Sequence, residues 1–178
     1  MFRRPGILIF ALVAVLLVDG SAQKTVRTSA DVQTTGVDES IAIVVNQENN
    51  IENLSLKELR TVFLGERSHW PNGRRITLVM MEPGQLERKA ILRDIYRMNE
   101  TDFSRHFLQG LFTGEVFVSP KTLASPVGVR KFIFNVPGAI GYVRVGDVDS
   151  TVKVVRIDGR LPDDKDYELR IEPHQGAK

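Results

Sequence analysis

The chain has 178 residues, with 24 lysines and arginines, 22 aspartates and glutamates, and no cysteine. The charges are mixed along the sequence without a basic block, so no nucleic acid or anionic membrane surface is expected as a partner. A chain without cysteine has no disulfide framework, and it cannot carry the cysteine-linked lipid of a bacterial lipoprotein.

The first 22 residues have the layout of a secretory signal peptide. Arg3 and Arg4 precede the unbroken apolar run Ile7–Val18, and small residues at 20–22 offer a cleavage site before Gln23. The alternative is a membrane anchor, but the run has twelve residues and a spanning helix needs about 20. We therefore expect cleavage and export, to give a periplasmic or secreted protein that is soluble.

The exported part divides into three segments by composition. Residues 23–40 are polar without an apolar period and are expected to form a flexible lead-in. Residues 41–160 carry the regular patterns of one domain, and the charged residues 161–178 are expected to form a polar tail that frays.

Short apolar runs alternate with helical patterns in the predicted domain. Strands are predicted at Ile41–Asn46, Ile76–Met81, Ala139–Val143 and Val152–Ile157, with a brief one at Val116–Val118. Helices are predicted after a capping box at residues 55–58, from 84 to about 98, from a cap at 101, and around 129–136. This alternation indicates an α/β domain with a mainly parallel or mixed sheet of about five strands and helices on both faces.

The third helical pattern is the most apolar. We expect its large residues to form one wide buried face. They are Phe103, Phe107, Leu108, Leu111 and Phe112.

Four motifs lie in a specific order between residues 53 and 143. They are Asn53–Gly65, Trp-Pro-Asn-Gly at 70–73, Phe-Thr-Gly at 112–114 and Pro-Gly-Ala-Ile-Gly-Tyr-Val at 137–143. Together they resemble the phosphate-binding proteins of ABC importers, in the type II periplasmic binding protein superfamily, and their small single-lobe relatives. The resemblance implies a mixed-sheet α/β lobe. Full-length members have two lobes with the ligand between them, whereas this chain is expected to hold one.

The resemblance also implies an anion site at the turn 82–88. Full-length phosphate binders carry Gly-Ser-Gly-Thr-Arg where this chain has Gly-Gln-Leu-Glu-Arg at 84–88. We expect Gly84 to let the backbone approach an anion, Gln85 to donate from its amide, and Arg88 to supply positive charge. Both hydroxyls are missing, and at about 4 Å and an effective dielectric constant of about 20 the Glu87 carboxylate would repel a phosphate by about 4 kcal/mol per unit charge.

A structural explanation of the same turn stays open. Its acidic residues favour the first turn of any helix because of the helix dipole. In that case Arg88 pairs with Glu87 or Glu82 at the surface and binds no ligand.

Two further residues are candidates for the same crevice. Asn46 ends the first strand, and strand carboxyl ends line the crevice in open α/β sheets; the alternative role is a turn-forming asparagine. Ser125 precedes Pro126 near a helix start and offers either a hydroxyl to the crevice or a helix N-cap.

Other chemistry finds little support in the sequence. The three histidines are far apart without metal-ligand spacing, and there is no nucleophile elbow or phosphate loop. We expect neither an enzyme nor a cofactor. The predicted function is an exported solute-binding-like protein that captures a small anion, phosphate by resemblance, with a transporter or sensor subunit as partner. The alternative is an envelope interaction module that kept the fold and lost ligand binding; the oligomeric state is left open.

Overall fold

The computed structural model describes residues 40–172 of the chain. The predicted signal peptide and all but the last residue of the predicted lead-in lie outside this range, so both remain predictions. No helix within the described range is both long and apolar enough to cross a membrane.

Strands and helices alternate along the described residues. The strands are β1 Ile41–Asn46, β2 Asn53–Leu54, β3 Thr77–Met81, β4 Lys121–Leu123, β5 Ala139–Arg144, β6 Val152–Val154 and β7 Arg156–Ile157. The helices are α1 Leu56–Phe63, α2 Leu86–Ile91, α3 Glu100–Thr113 and α4 Pro126–Asn135. A π-helical turn, Leu92–Tyr96, continues α2, and a short 3-10 turn, Val145–Asp147, follows β5.

Five strands form one mixed sheet in the order β4-β3-β5-β1-β6. β3 is parallel to both β4 and β5, whereas β1 is antiparallel to both β5 and β6. β2 and β7 pair in parallel as a separate two-stranded sheet. A mixed five-stranded sheet with helices is the fold class that the sequence predicts.

Helices cover both faces of the five-stranded sheet. Successive strand residues point to opposite faces. An added Cβ on Gly141 would lie 3.2 Å from the Ile133 side chain of α4, whereas the ring of Tyr142 lies 6.4 Å from that of Phe63 in α1. The second face also holds an aromatic cluster in which Tyr96 meets Phe103 edge to face at 4.9 Å. The core therefore lies on both sides of β3 and β5.

Several boundaries differ from the predictions. Residues Val116–Val118 are not a strand, and β4 lies a few residues later, at Lys121–Leu123, where it pairs with β3. Helix α3 is capped by Asn99, whose side chain accepts from the Asp102 N–H, and not by Thr101. The predicted last strand is split between two sheets, because Val155 lies between β6 and β7.

The third helix also buries less than expected. Phe103 and Phe107 are buried, but Leu108, Leu111 and Phe112 are 62%, 48% and 84% exposed. The prediction of one wide buried face is wrong, because these three side chains lie on a second side of the helix that is largely open to solvent.

The predicted polar tail is part of the fold as far as residue 172. Tyr167, Leu169 and Ile171 are buried, and the Leu169 carbonyl accepts from the Ile41 N–H at 2.8 Å. The alternation of these three apolar residues with charged ones is a period-two pattern that the charge content obscured. The domain therefore extends beyond the predicted boundary at 160.

Candidate functional site

The predicted anion-binding turn lies at the end of the sheet where β3, β4 and β5 have their C-terminal residues. These three strands run in the same direction, and the Glu82 N–H donates to the Leu123 carbonyl at 3.1 Å. Gly84 has a φ of 95°, and Gln85 is the N-cap of α2 but makes no side-chain capping bond. Ser125 follows β4 at the same end. The structure therefore brings Gly84, Gln85 and Ser125 to the same end of the sheet, beyond the C-terminal ends of β3 and β4.

Ser125 acts as a helix cap in this arrangement. Its hydroxyl accepts from the Gly128 N–H at 3.1 Å, and Pro126 occupies the first position of α4. Proline suits that position because no intrahelical partner is available for its missing N–H. Of the two roles left open by the sequence, the structure shows capping.

Arg88 lies beneath the turn and is buried and paired within the protein. Its Nε and Nη2 atoms donate to the two carboxylate oxygens of Glu100 at 2.7 and 2.8 Å, and Nη1 donates to the Met81 carbonyl at 2.8 Å. The guanidinium also stacks 4.8 Å from the Phe103 ring centre, and the residue is 4% exposed. Burial opposes the charge on Arg88, but the hydrogen bonds and charge of Glu100 outweigh it, so the pKa of Arg88 is raised.

This pairing corrects the proposed roles of Arg88. Its partner is Glu100 of α3 and not Glu87 or Glu82. The arginine side chain of this pair is buried, whereas the glutamate is partly exposed. The side chain lies between Met81 at the end of β3 and Glu100 at the start of α3. Three of its five N–H groups are hydrogen-bonded, and the side chain is 5% exposed, so little of the guanidinium is open to a ligand.

Glu87 is also buried and paired. Its Oε1 accepts from the Nε of Arg144, the last residue of β5, while Oε2 is buried without a hydrogen-bond partner among the described residues. The predicted anion site has the Glu87 carboxylate close to the ligand. The structure places a counter-charge beside it, so the repulsion estimated for a lone carboxylate does not apply.

The turn has no surplus of positive charge for a ligand. The turn and its two pairing partners together hold three carboxylates and two guanidiniums, namely Glu82, Glu87, Glu100, Arg88 and Arg144. A phosphate site needs a surplus of positive charge or of free donors. At this turn the hydrogen-bond donors that remain available are the amide of Gln85 and backbone N–H groups at the start of α2.

Asn46 lies elsewhere, and its predicted place in this crevice is wrong. β1 runs antiparallel to β5, so its last residue, Asn46, lies at the opposite end of the sheet, where it pairs with Val152 of β6. Its amide donates to the carbonyls of Ile133 and Phe134 at 2.8 and 2.7 Å, which satisfies the end of α4. Its side-chain oxygen accepts from the Glu48 N–H, in the turn-forming role that the sequence analysis left open.

The sequence did not reveal the two residues that pair with the charged side chains of the turn, namely Arg144 with Glu87 and Glu100 with Arg88. Arg144 directly follows the motif at 137–143, so its place at a strand end could have been inferred. Glu100 carries no such signal, because it reaches Arg88 only through the packing of α3 against α2. Within residues 40–172 no cluster of histidine, aspartate and glutamate is arranged to hold a metal ion.

Comparison with known proteins shows a shared fold. No family model matches the chain. Among solved structures it is similar to an ABC-type phosphate transport receptor from Vibrio cholerae, with a TM-score of 0.57 and 20% identity over 70% of this chain and 48% of that one. The chain shares the fold of phosphate ABC transporter substrate-binding proteins. The resemblance inferred from the motifs is confirmed at the level of the fold.

Two other solved structures give the same result. A putative phosphate ABC transporter substrate-binding protein with bound phosphate from Clostridium perfringens matches with a TM-score of 0.57 and 20% identity, over 70% of this chain and 47% of that one. PstS from Borrelia burgdorferi matches with a TM-score of 0.55 and 13% identity, over 70% and 49%. The chain thus spans about half the length of these binding proteins.

Proposed function

We propose that this chain is an envelope protein that uses a substrate-binding-protein lobe as an interaction module and does not capture phosphate at residues 82–88. Export to the envelope rests on the predicted signal peptide. The observation that carries the proposal is that Arg88 is buried and hydrogen-bonded to Glu100 and to the Met81 carbonyl. No catalytic role is part of the proposal, since the similar solved structures are binding proteins.

The energetics favour the internal pair over an anion. Bidentate, charge-assisted arginine–carboxylate bonds are among the strong hydrogen bonds in proteins. A ligand that takes the place of Glu100 would have to break this pair, at a cost of about 2 kcal/mol, because Arg88 is buried and Glu100 is partly exposed. A micromolar phosphate complex amounts to only about 8 kcal/mol in total. An anion that displaces Glu100 would therefore bind weakly.

A second candidate function is capture of a small anion, phosphate by resemblance, for a transporter or sensor subunit. Two observations favour it. Gly84 has open space where a Cβ would stand, so a ligand can approach the backbone. Gln85 is exposed and makes no capping bond, so its amide is free to donate. In this case the backbone N–H groups and Gln85 supply the donors without an arginine.

Titration calorimetry of the purified protein with phosphate, sulfate and amino acids separates the two candidates. The interaction module predicts no heat and no thermal shift at millimolar ligand. Binding of phosphate with a dissociation constant below about 100 μM, lost in Gln85→Ala, would overturn the proposal in favour of anion capture. Lys131→Ala, an exposed change on α4, is the control that should leave any binding unchanged.

The interaction itself is tested in the intact envelope. Crosslinking in cells that export the chain should give one discrete adduct whose mass identifies a single partner protein or a second copy. A chain that forms no adduct and binds no anion would contradict both candidates.

A further inference from the structure

A shallow hollow of about 550 Å³ lies beside the junction of α2 and α3. Three basic side chains, those of Lys89, Arg93 and Arg97, line it together with the apolar side chains of Leu92 and Met98. The lining residues lie between positions 89 and 102, outside the turn at 82–88. The hollow is therefore distinct from the predicted anion site.

Two carboxylates also line the hollow, but each already pairs with an arginine outside its lining. Glu100 accepts from Arg88 at 2.7 and 2.8 Å, and Asp102 accepts from Arg105 at 2.8 Å. Opposite charges this close largely balance one another. The two carboxylates therefore do little to offset the basic side chains of the hollow.

Two of the three basic side chains are left without a counter-charge. Arg93 is bound by Asp94 at 2.6 Å and by Glu172 at 2.8 Å. Lys89 and Arg97 are exposed, and neither side chain has an ion pair or a hydrogen bond with any residue between 40 and 172. The hollow therefore has two uncompensated positive charges.

The spacing of these two cations limits what can bind them. Arg97 ends the π-helical turn with a φ of 55°, and its N–H donates to the Leu92 carbonyl, which fixes its backbone. Lys89 precedes it by eight residues, or about 12 Å along a helix axis. A single phosphate or carboxylate group meets both cations only if two long side chains bend together, which costs side-chain entropy. Two separate carboxylates meet them without that cost.

An extended peptide matches this spacing. Alternate side chains of a strand project from the same face, and those four residues apart on that face are separated by about 13 Å. Acidic side chains at the first and fifth positions would reach Lys89 and Arg97. An apolar side chain at the third position would lie between them, against Leu92 and Met98, while the second and fourth side chains would face solvent.

We propose that the hollow binds an extended segment of a partner protein with an acidic residue at its first and fifth positions and an apolar residue at its third. This inference rests on the proposed function and names the chemistry that the interaction module recognises. An adjoining hollow of about 220 Å³, also lined by Arg93 and Arg97, holds the carboxylates of Asp94 and Glu168. Those carboxylates disfavour a further acidic residue, so recognition ends with the residue at Arg97.

The test is an NMR titration of the isotope-labelled protein with the synthetic peptide acetyl-Glu-Ser-Leu-Ser-Glu-amide. Saturable shifts are expected for the backbone amides of residues 89–102. The dissociation constant should be about 1 mM, because two exposed ion pairs and one apolar contact give weak binding. Lys89→Gln and Arg97→Gln should each raise it about threefold, and the double variant about tenfold.

The controls separate this recognition from general charge effects. Lys131→Gln on α4 removes an exposed lysine that lines a different hollow, and it should leave the affinity for the peptide unchanged. The uncharged peptide acetyl-Gln-Ser-Leu-Ser-Gln-amide should bind about tenfold more weakly than the acidic one. Inorganic phosphate and citrate should also bind more weakly at these amides. Circular dichroism of each variant verifies that the fold is intact.

The inference is overturned if the acidic peptide gives no saturable shift, if the uncharged peptide binds equally well, or if the double variant retains the affinity. Tighter binding of phosphate or citrate than of the peptide at residues 89–102 overturns it as well, and makes the hollow a small-anion site. Failure of the proposed function is a separate result, because phosphate capture at the turn depends on Gln85 and shifts different amides. Peptide binding that is lost with Lys89 and Arg97 supports the inference whatever phosphate does at the turn.

Discussion

Arg88 and Glu100 form a two-pronged ion pair that joins the start of α2 to the start of α3, with N–O distances of 2.7 and 2.8 Å. The same guanidinium covers the Phe103 ring. In a binding protein the arginine at this turn would be available to an anion. Here it stabilises the contact between two helices, so the residue that most resembles a ligand-binding group has a structural role.

Glu100→Ala should lower the free energy of unfolding by about 2 kcal/mol. It leaves a buried guanidinium without its counter-charge, and the partial exposure of Glu100 keeps the loss below the range for a fully buried pair. Urea denaturation measures the change. Glu48→Ala, which removes the partner of the exposed Arg74, is the control and should cost less than about 0.5 kcal/mol. Equal losses in the two variants would contradict the structural role of Arg88.

Arg144→Ala should be destabilising for the opposite reason, because it leaves the buried carboxylate of Glu87 unpaired. We expect a loss of about 2 kcal/mol, again reduced because Arg144 is partly exposed. Adding Glu87→Gln should recover part of this loss, since a neutral amide costs less to bury than a carboxylate. Thermal and urea unfolding of the two single variants and the double variant give the coupling. A double variant less stable than Arg144→Ala would show that Glu87 has another partner.

Local patterns predicted the elements of the fold better than the contacts of the site. β1 has the predicted bounds, and the capping box at Ser55 and Glu58 is present with both of its hydrogen bonds. Each depends on residues at most a few positions apart. The fate of Arg88 depends on Glu100, twelve residues away in another helix, and no periodicity reveals that contact.

Strand direction explains the error at Asn46. The rule that strand carboxyl ends line one crevice holds for parallel strands. The sequence pattern does not reveal that β1 is antiparallel to β5. This reversed direction places Asn46 at the other end of the sheet. The exposed side of α3 was misjudged for a related reason, because helical spacing shows which residues share a face and not whether another element covers it.

Glu58→Gln should reveal a pH-dependent contribution from the capping box. Hydrogen bonds from the Ser55 backbone N–H and then its hydroxyl lower the pKa of Glu58. A lowered pKa in the folded state adds stability above the ordinary glutamate value of about 4.3, and this is lost as the pH falls through the folded value. We expect a loss of about 0.5 kcal/mol at pH 7, because the group is exposed to solvent, and almost none near pH 3. Urea titrations at both pH values test this, with Glu66→Gln as a control without a capping role.

Tyr167→Phe should cost about 1 kcal/mol of stability. The buried hydroxyl of Tyr167 donates to the Ile41 carbonyl at 2.8 Å and so ties residues 161–172 to the first strand of the sheet. Tyr96→Phe is a matched control, since the buried hydroxyl of Tyr96 meets only the sulfur of Met80, a weak acceptor. Its cost in urea denaturation should be smaller. If the Tyr167 variant were as stable as the original protein, these residues would not be anchored as the structure shows.

Gly138→Ala should prevent folding or remove several kcal/mol of stability. A Cβ at this position would lie 1.9 Å from the Arg75 carbonyl oxygen, a backbone atom that cannot move aside cheaply. The Gly138 carbonyl also accepts from the Trp70 indole N–H at 2.9 Å and from the Thr77 N–H at 3.1 Å, so a shift of this residue disturbs two further contacts. Gly73→Ala, at a positive φ but with open space around the added carbon, should cost only about 1 kcal/mol. Expression yield and thermal unfolding compare the two. A Gly138 variant as stable as the Gly73 variant would mean that Arg75 and Gly138 do not approach this closely, and that the motif at 137–143 is not needed for close packing.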